Sequence, residues 1–160
     1  MNEEAAGVEG VVRFPPKRGI FTEFQYNEPG TTFSITGNPV VLAATVVLVN
    51  DLTDRVWLNG TVDWQFRFST SGLASVLFEI LRENTVIYSA RQTIPLTASS
   101  FPTSLYGHVH LQHVDTAPIT TPGVTPVLYT LRATLLQGVG AAFTQNQPVL
   151  TAAEIERNLL

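Results

Sequence analysis

From Gly30 onward, apolar and polar residues alternate with a period of two, the spacing of a strand that buries one face. The cleanest case is 61-TVDWQFRFST-70. Val62, Trp64, Phe66 and Phe68 point one way, and Asp63, Gln65 and Arg67 the other. Val40 to Val49 is β-branched and almost wholly apolar, which predicts a strand buried on both faces. Asn50-Asp51 and Asp54 supply turn chemistry after it. The stretch 75-SVLFEILRENTVIYSARQTI-94 reads as a hairpin that turns at Arg82-Glu83-Asn84. On its outgoing strand Val76, Phe78 and Ile80 form one apolar face, while Leu77 and Leu81 make the other apolar too, diluted only by Glu79.

A strand from about Tyr106 to Val114 follows, then a Thr/Pro-rich loop, 115-DTAPITTPGVTP-126. The strand 127-VLYTLRATLL-136 places Val127, Tyr129, Leu131, Ala133 and Leu135 on one side. Short segments near Ala141–Phe143 and Val149–Thr151 complete the set, and helical periodicity surfaces only weakly in 152-AAEIERNLL-160. Asn59-Gly60 predicts a tight hairpin turn. About eight strands with turn clusters between them and no βαβ rhythm predict an all-β fold. An antiparallel two-sheet jelly-roll sandwich over residues 29–160 fits best, because it limits exposed edges. An immunoglobulin-like sandwich is the nearest rival.

Residues 1–28 form a leader with unusual content. Val11, Val12, Phe14, Ile20, Phe21 and Phe24 are apolar, yet Pro15-Pro16 and Lys17-Arg18 interrupt them. Disordered leaders are usually poor in such residues. The proline pair favours an extended course and bars the segment from the middle of a sheet. These residues predict an intermolecular arm. Two blander readings stand beside it: an ordinary leader, or, for 21-FTEFQY-26, a strand of the domain's own sheet. Burying the arm's large side chains would gain of order ten kcal/mol, and ordering about ten residues costs a similar amount. One arm would bind feebly; several from one oligomer would gain through effective concentration.

Composition points the same way. Charged residues are 14% of the chain, against roughly 25% in an average soluble domain. With so little polar surface to spare, an oligomer is expected, and the doubly apolar strand offers Leu77 and Leu81 for its interface. A net charge of −4 with one lysine argues against nucleic acid as a partner. The absence of cysteine excludes disulfides and thiol chemistry. No apolar run is long enough for a membrane helix. The acidic start, MNEEAAGVEG, is unlike a secretion signal, so synthesis in the cytoplasm is expected.

Candidate chemistry is thin. The three histidines lie together in 107-GHVHLQHVD-115. On a strand His108 and His110 share a face and His113 takes the other. Two imidazoles at that spacing can ligate a divalent metal, as in cupin-like jelly rolls. No glutamate stands where cupins carry one, and no further histidine completes the set. The plainer reading is the polar face of a half-buried strand. No Gly-x-Ser-x-Gly or phosphate-binding glycine loop is present. No enzyme and no cofactor are expected.

The pattern 76-VLFEILRENTVIYSAR-91, with the ending 143-FTQNQPVLTAAEIER-157, resembles small jelly-roll proteins of the Firmicutes spore surface. These are the TNF/C1q-like heads of exosporium proteins and, more loosely, endospore-appendage subunits. The resemblance implies trimeric or ring-forming sandwiches made without a secretion signal, and N-terminal connectors that join subunits into fibres. The chain lacks the collagen-like repeat and the leader cysteine of those proteins, so its subunits would be joined non-covalently. The expected function is a self-assembling structural subunit at the spore surface, with itself, as a trimer or polymer, and other spore-surface proteins as partners. A cupin-like metal-binding domain with His108 and His110 as ligands, and a viral or phage capsid or fibre jelly roll, are the alternatives.

Overall fold

The computed structural model describes residues 19–98 and 100–157. They form ten strands: β1 (Gly19–Asn27), β2 (Ser34–Ile35), β3 (Val40–Val49), β4 (Arg55–Phe68), β5 (Gly72–Arg82), β6 (Thr85–Leu96), β7 (Thr103–Asp115), β8 (Thr125–Gln137), β9 (Gly140–Thr144) and β10 (Val149–Arg157). Two antiparallel sheets face each other. The first is organised on the 14-residue β4, which is flanked by β7 on one side and by β10 and then β9 on the other. β1 lies outside β10, and β2 outside β9. The second sheet has the order β3-β8-β5-β6. Counted as interrupted strands, β1–β2 and β9–β10 leave eight, arranged as the paired Greek keys of a jelly roll.

The core lies between the sheets and is built by the expected alternation. Val62, Trp64, Phe66 and Phe68 of β4 meet Val76, Phe78 and Ile80 of β5 and Val127, Tyr129, Leu131 and Ala133 of β8, all buried. The hairpin turn falls at Glu83, which takes a positive φ of 52°.

Four expectations are corrected. Asn59-Gly60 makes no turn: both residues lie within β4, and Gly60 pairs with Leu150 and Leu111. Leu131 and Leu111 fill the space over Gly60, so packing outweighs the local turn preference. The helical hint after residue 152 gives way to β10, where cross-strand pairing to both β1 and β4 dominates. Among the described residues Val40–Val49 pairs only with β8, as an edge strand with Val41, Val46 and Leu48 exposed on its outer face. Finally, Gly19–Asn27 is β1 of the sandwich's own sheet, the alternative that stood beside the arm for 21-FTEFQY-26, so the boundary at residue 29 gives way to a domain that begins earlier.

Candidate functional site

β1 closes the first sheet and carries two kinds of side chain. Glu23 and Asn27 turn toward the second sheet. Glu23 Oε2 accepts from the Leu48 amide at 3.0 Å, and Asn27 Oδ1 accepts from the Ala44 amide at 3.3 Å. These bonds occupy donors on the open edge of β3, a usual means of blunting an edge strand. On the outer face Phe21, Phe24 and Tyr26 are 62%, 60% and 65% exposed.

The register extends this aromatic edge into a patch. Phe24 pairs with Ala153, Ala153 with Trp57, and Trp57 with Val114, one apolar row across four strands. Phe21 meets Trp57 edge to face, with centroids 6.3 Å apart. Across the β1/β3 edge of the sandwich, Val46 and Leu48 add exposed apolar surface. One row further along, Tyr26, Thr151, Asn59 and Gln112 end the patch with polar groups.

A buried carboxyl group anchors the strand from beneath. Glu154 on β10 is 0% exposed. Its Oε2 accepts from the Thr22 hydroxyl at 2.6 Å, and its Oε1 from the Asn50 amide at 3.0 Å. Burial pushes its pKa up; the Thr22 and Asn50 bonds oppose that shift, and the carboxyl of buried Asp54 beside it reinforces it.

The histidines occupy the other half of the same face. His108 and His110 point outward and His113 does not; its ring stacks on Tyr88 with centroids 5.5 Å apart. His108 Nδ1 lies 2.6 Å from Asp63 Oδ1, and His110 Nε2 lies 2.6 Å from Asn59 Oδ1. Asn146 Nδ2 donates to Asp63 Oδ2 at 2.8 Å. The His108 and Asn146 bonds hold the Asp63 carboxyl below its usual pKa. Each outward imidazole is thus engaged by a protein partner. Among the described residues no three His, Cys, Asp or Glu side chains converge as a metal site.

The remaining sequence candidates scatter. Val11, Val12, Phe14, Pro15 and Pro16 lie outside the described residues. Ile20, Phe21 and Phe24 lie on β1, which makes Phe21 and Phe24 exposed members of a strand. Leu77 is half-buried, and Leu81, at 5% exposure, offers little surface to a partner. β5 is an inner strand, and its neighbours cover its outer face: Arg132, for example, reaches Glu79 at 2.7 Å. Trp57 and Val114 were missed. Trp57 shares the parity of polar Asp63, Gln65 and Arg67, a legible signal that the supposed turn at Asn59-Gly60 hid.

No protein-family profile matches the sequence, and no curated protein is similar to it. Among solved structures, dimeric latent PorU from Porphyromonas gingivalis matches 94% of this chain and 14% of its own, with 12% identity and a TM-score of 0.51. The VP2 subviral particle of infectious bursal disease virus matches 99% of this chain and 42% of its own, with 15% identity and a TM-score of 0.35. The T13 particle of that virus matches 96% and 39%, with 16% identity and a TM-score of 0.36. The chain therefore spans about a seventh of the PorU chain and about two fifths of the capsid chains. At such identities the likeness to PorU is one of fold alone, a β-sandwich.

Proposed function

We propose that this chain is a non-enzymatic, self-assembling structural subunit whose sandwich associates along the β1 edge. The observation that carries the reading is the aromatic row of Phe21, Phe24 and Tyr26, each more than half exposed beside Trp57. A contiguous patch of this kind is unusual on a chain that works alone. Covering the exposed parts of these four side chains gains of order 4–7 kcal/mol. Association costs an estimated 4–15 kcal/mol in lost freedom, so one such contact is marginal and several acting together are needed. The leader, with Val11, Val12 and Phe14, supplies a second contact as a connector to the next subunit. In this reading the product is a fibre or layer of the spore-surface kind, as the resemblance of the hairpin and closing strand implies. A capsid-type shell is the closed version of the same assembly.

The test is sedimentation velocity and negative-stain microscopy of the full chain beside a chain lacking residues 1–18 and a Phe21→Ser/Phe24→Ser variant. Fibres, sheets or shells from the full chain, reduced to small oligomers without the leader and to single subunits by the double substitution, are expected. A full chain that stays a single subunit at high concentration would overturn the reading.

A further inference from the structure

At the other end of the same face lies a group of side chains that assembly does not use. Tyr106 on β7 is 67% exposed. Among the described residues no aromatic ring packs against it. A hollow of about 370 Å³ opens beside it, lined by Asp63, Tyr106, His108, Gln145 and Asn146 over Gly107 and Trp64. Gln145 and Asn146 also border a second hollow of about 650 Å³, which continues past Gln147 to Thr31, Thr32 and Glu28.

The chemistry of these walls narrows the ligand. No lysine or arginine lines either hollow, and Asp63 and Glu28 are carboxylates, which disfavours an anion. Most of the lining side chains carry carboxylate, amide, hydroxyl or imidazole groups, which disfavours a purely apolar ligand. What remains is an uncovered phenol ring beside groups that both donate and accept hydrogen bonds. A sugar ring fits that set: its C–H face lies against an aromatic ring, and each hydroxyl both donates and accepts.

The groups are held in place before any ligand arrives. Asp63 is fixed by His108 and Asn146, and the carboxylate retains unused lone pairs. With Nδ1 turned to Asp63, His108 presents Nε2 toward the hollow as a further polar atom. Asn146 keeps its carbonyl oxygen and a second N–H. The Gln145 backbone N–H donates to the Asp63 backbone carbonyl at 2.8 Å, which fixes the loop to β4. Beneath, a Cβ on Gly107 would stand within 2.4 Å of the Trp64 indole, so glycine lets β7 lie against that ring while Tyr106 and His108 face outward. Trp64 Nε1 is satisfied by Gln92 at 2.5 Å. Such pre-organisation lowers the entropic cost of binding.

We propose that this face binds a neutral oligosaccharide, with one sugar ring on Tyr106, its hydroxyls on Asp63, Asn146 and His108, and the next sugar beside Gln147. The proposal does not depend on the assembly reading. Its test is a printed array of neutral and anionic oligosaccharides probed with labelled full-length protein, followed by calorimetry with the free sugars that score. Neutral sugars should be retained and anionic ones not. Tyr106→Ala should weaken binding by about tenfold, while Tyr106→Phe, which keeps the ring, should stay within a few-fold of the parent. Asn146→Ala should weaken it as well, with the thermal melting of all three variants unchanged. Failure of every neutral sugar to bind would overturn the proposal. So would binding that survives Tyr106→Ala, or a preference for anionic sugars.

Discussion

Thr22 and Glu154, 132 residues apart in the chain, are joined by a 2.6 Å hydrogen bond that ties the aromatic edge strand to a fully buried carboxyl group. Burial raises the pKa of Glu154 above its ordinary 4.5. A carboxyl group that holds its proton more tightly when folded favours folding below the unfolded value, and that contribution is lost as pH rises through the folded value. Urea midpoints of the parent chain should therefore fall, from about pH 4.5 upward, relative to those of Glu154→Gln. Parallel pH profiles for the two proteins would contradict this.

Asp63 has the opposite sign. His108 and Asn146 lower its pKa below 3.8, so its contribution is present above that value and lost as pH falls through the folded one. Asp63→Asn should flatten the acid limb of the stability curve below pH 3.8 without changing the slope assigned to Glu154. Acid titration of both variants, followed by tryptophan fluorescence, separates the two.

Two glycines on the paired strands β4 and β7 should respond oppositely to alanine. At Gly107 a Cβ would meet the Trp64 indole, and such overpacking costs about 1–3 kcal/mol. At Gly60 the nearest side-chain atoms, from Leu131 and Leu111, stand 3.5–3.6 Å away, an ordinary contact. Gly60→Ala should be neutral or stabilising by about 0.5–1 kcal/mol through lower chain entropy when unfolded. Denaturant unfolding of both variants measures the contrast.

Tyr129 is fully buried and donates its hydroxyl to Asp115 Oδ2 at 2.9 Å, while Arg82 holds the same carboxylate at 2.9 Å. Burial and the Asp115 charge push the tyrosine pKa well up, so the hydroxyl remains a donor at any ordinary pH. Tyr129→Phe should cost about 1.5–3 kcal/mol, the range for a hydrogen bond to a charged group. Asp115→Ala, which removes the acceptor of Tyr129 and the counter-charge of Arg82, should cost more. Chemical denaturation of the two variants and of their double mutant apportions the network.

The two outer faces should differ in association. Phe24→Ser removes a side chain that is 60% exposed, whereas Leu77→Ser alters a half-buried one on an inner strand. Sedimentation velocity should show weaker association for Phe24→Ser with little loss of stability. Leu77→Ser should lower stability and leave the association of the remaining folded chain unchanged. The reverse pattern would move the interface to the second sheet.

Much of the fold was legible in single strands. Their alternation with Asp63, Gln65 and Arg67 puts Trp64, Phe66 and Phe68 on one face, and all three are core residues. Arg82-Glu83-Asn84 predict a hairpin turn, and the turn between β5 and β6 falls at Glu83. The site was far less legible. Phe24, Ala153, Trp57 and Val114 come from four separate segments, and register alone makes them one row. The same holds for Asp63, Tyr106 and Asn146, which no spacing along the chain connects.

By itself, then, the sequence determined an all-β chain of alternating strands, the shared face of Val62, Trp64, Phe66 and Phe68, and an unusually low share of charged side chains. These depend on interactions between residues two apart, on turn chemistry and on totals. Only the tertiary structure decided that Asn59-Gly60 continues a strand, that Phe21 and Phe24 sit on a sheet edge, and that Leu81 is covered while Trp57 stands beside the exposed ring of Phe21. Which face a residue presents follows from local geometry, but what lies beside it depends on pairing with strands distant in the chain. That pairing is settled by the packing of the whole core.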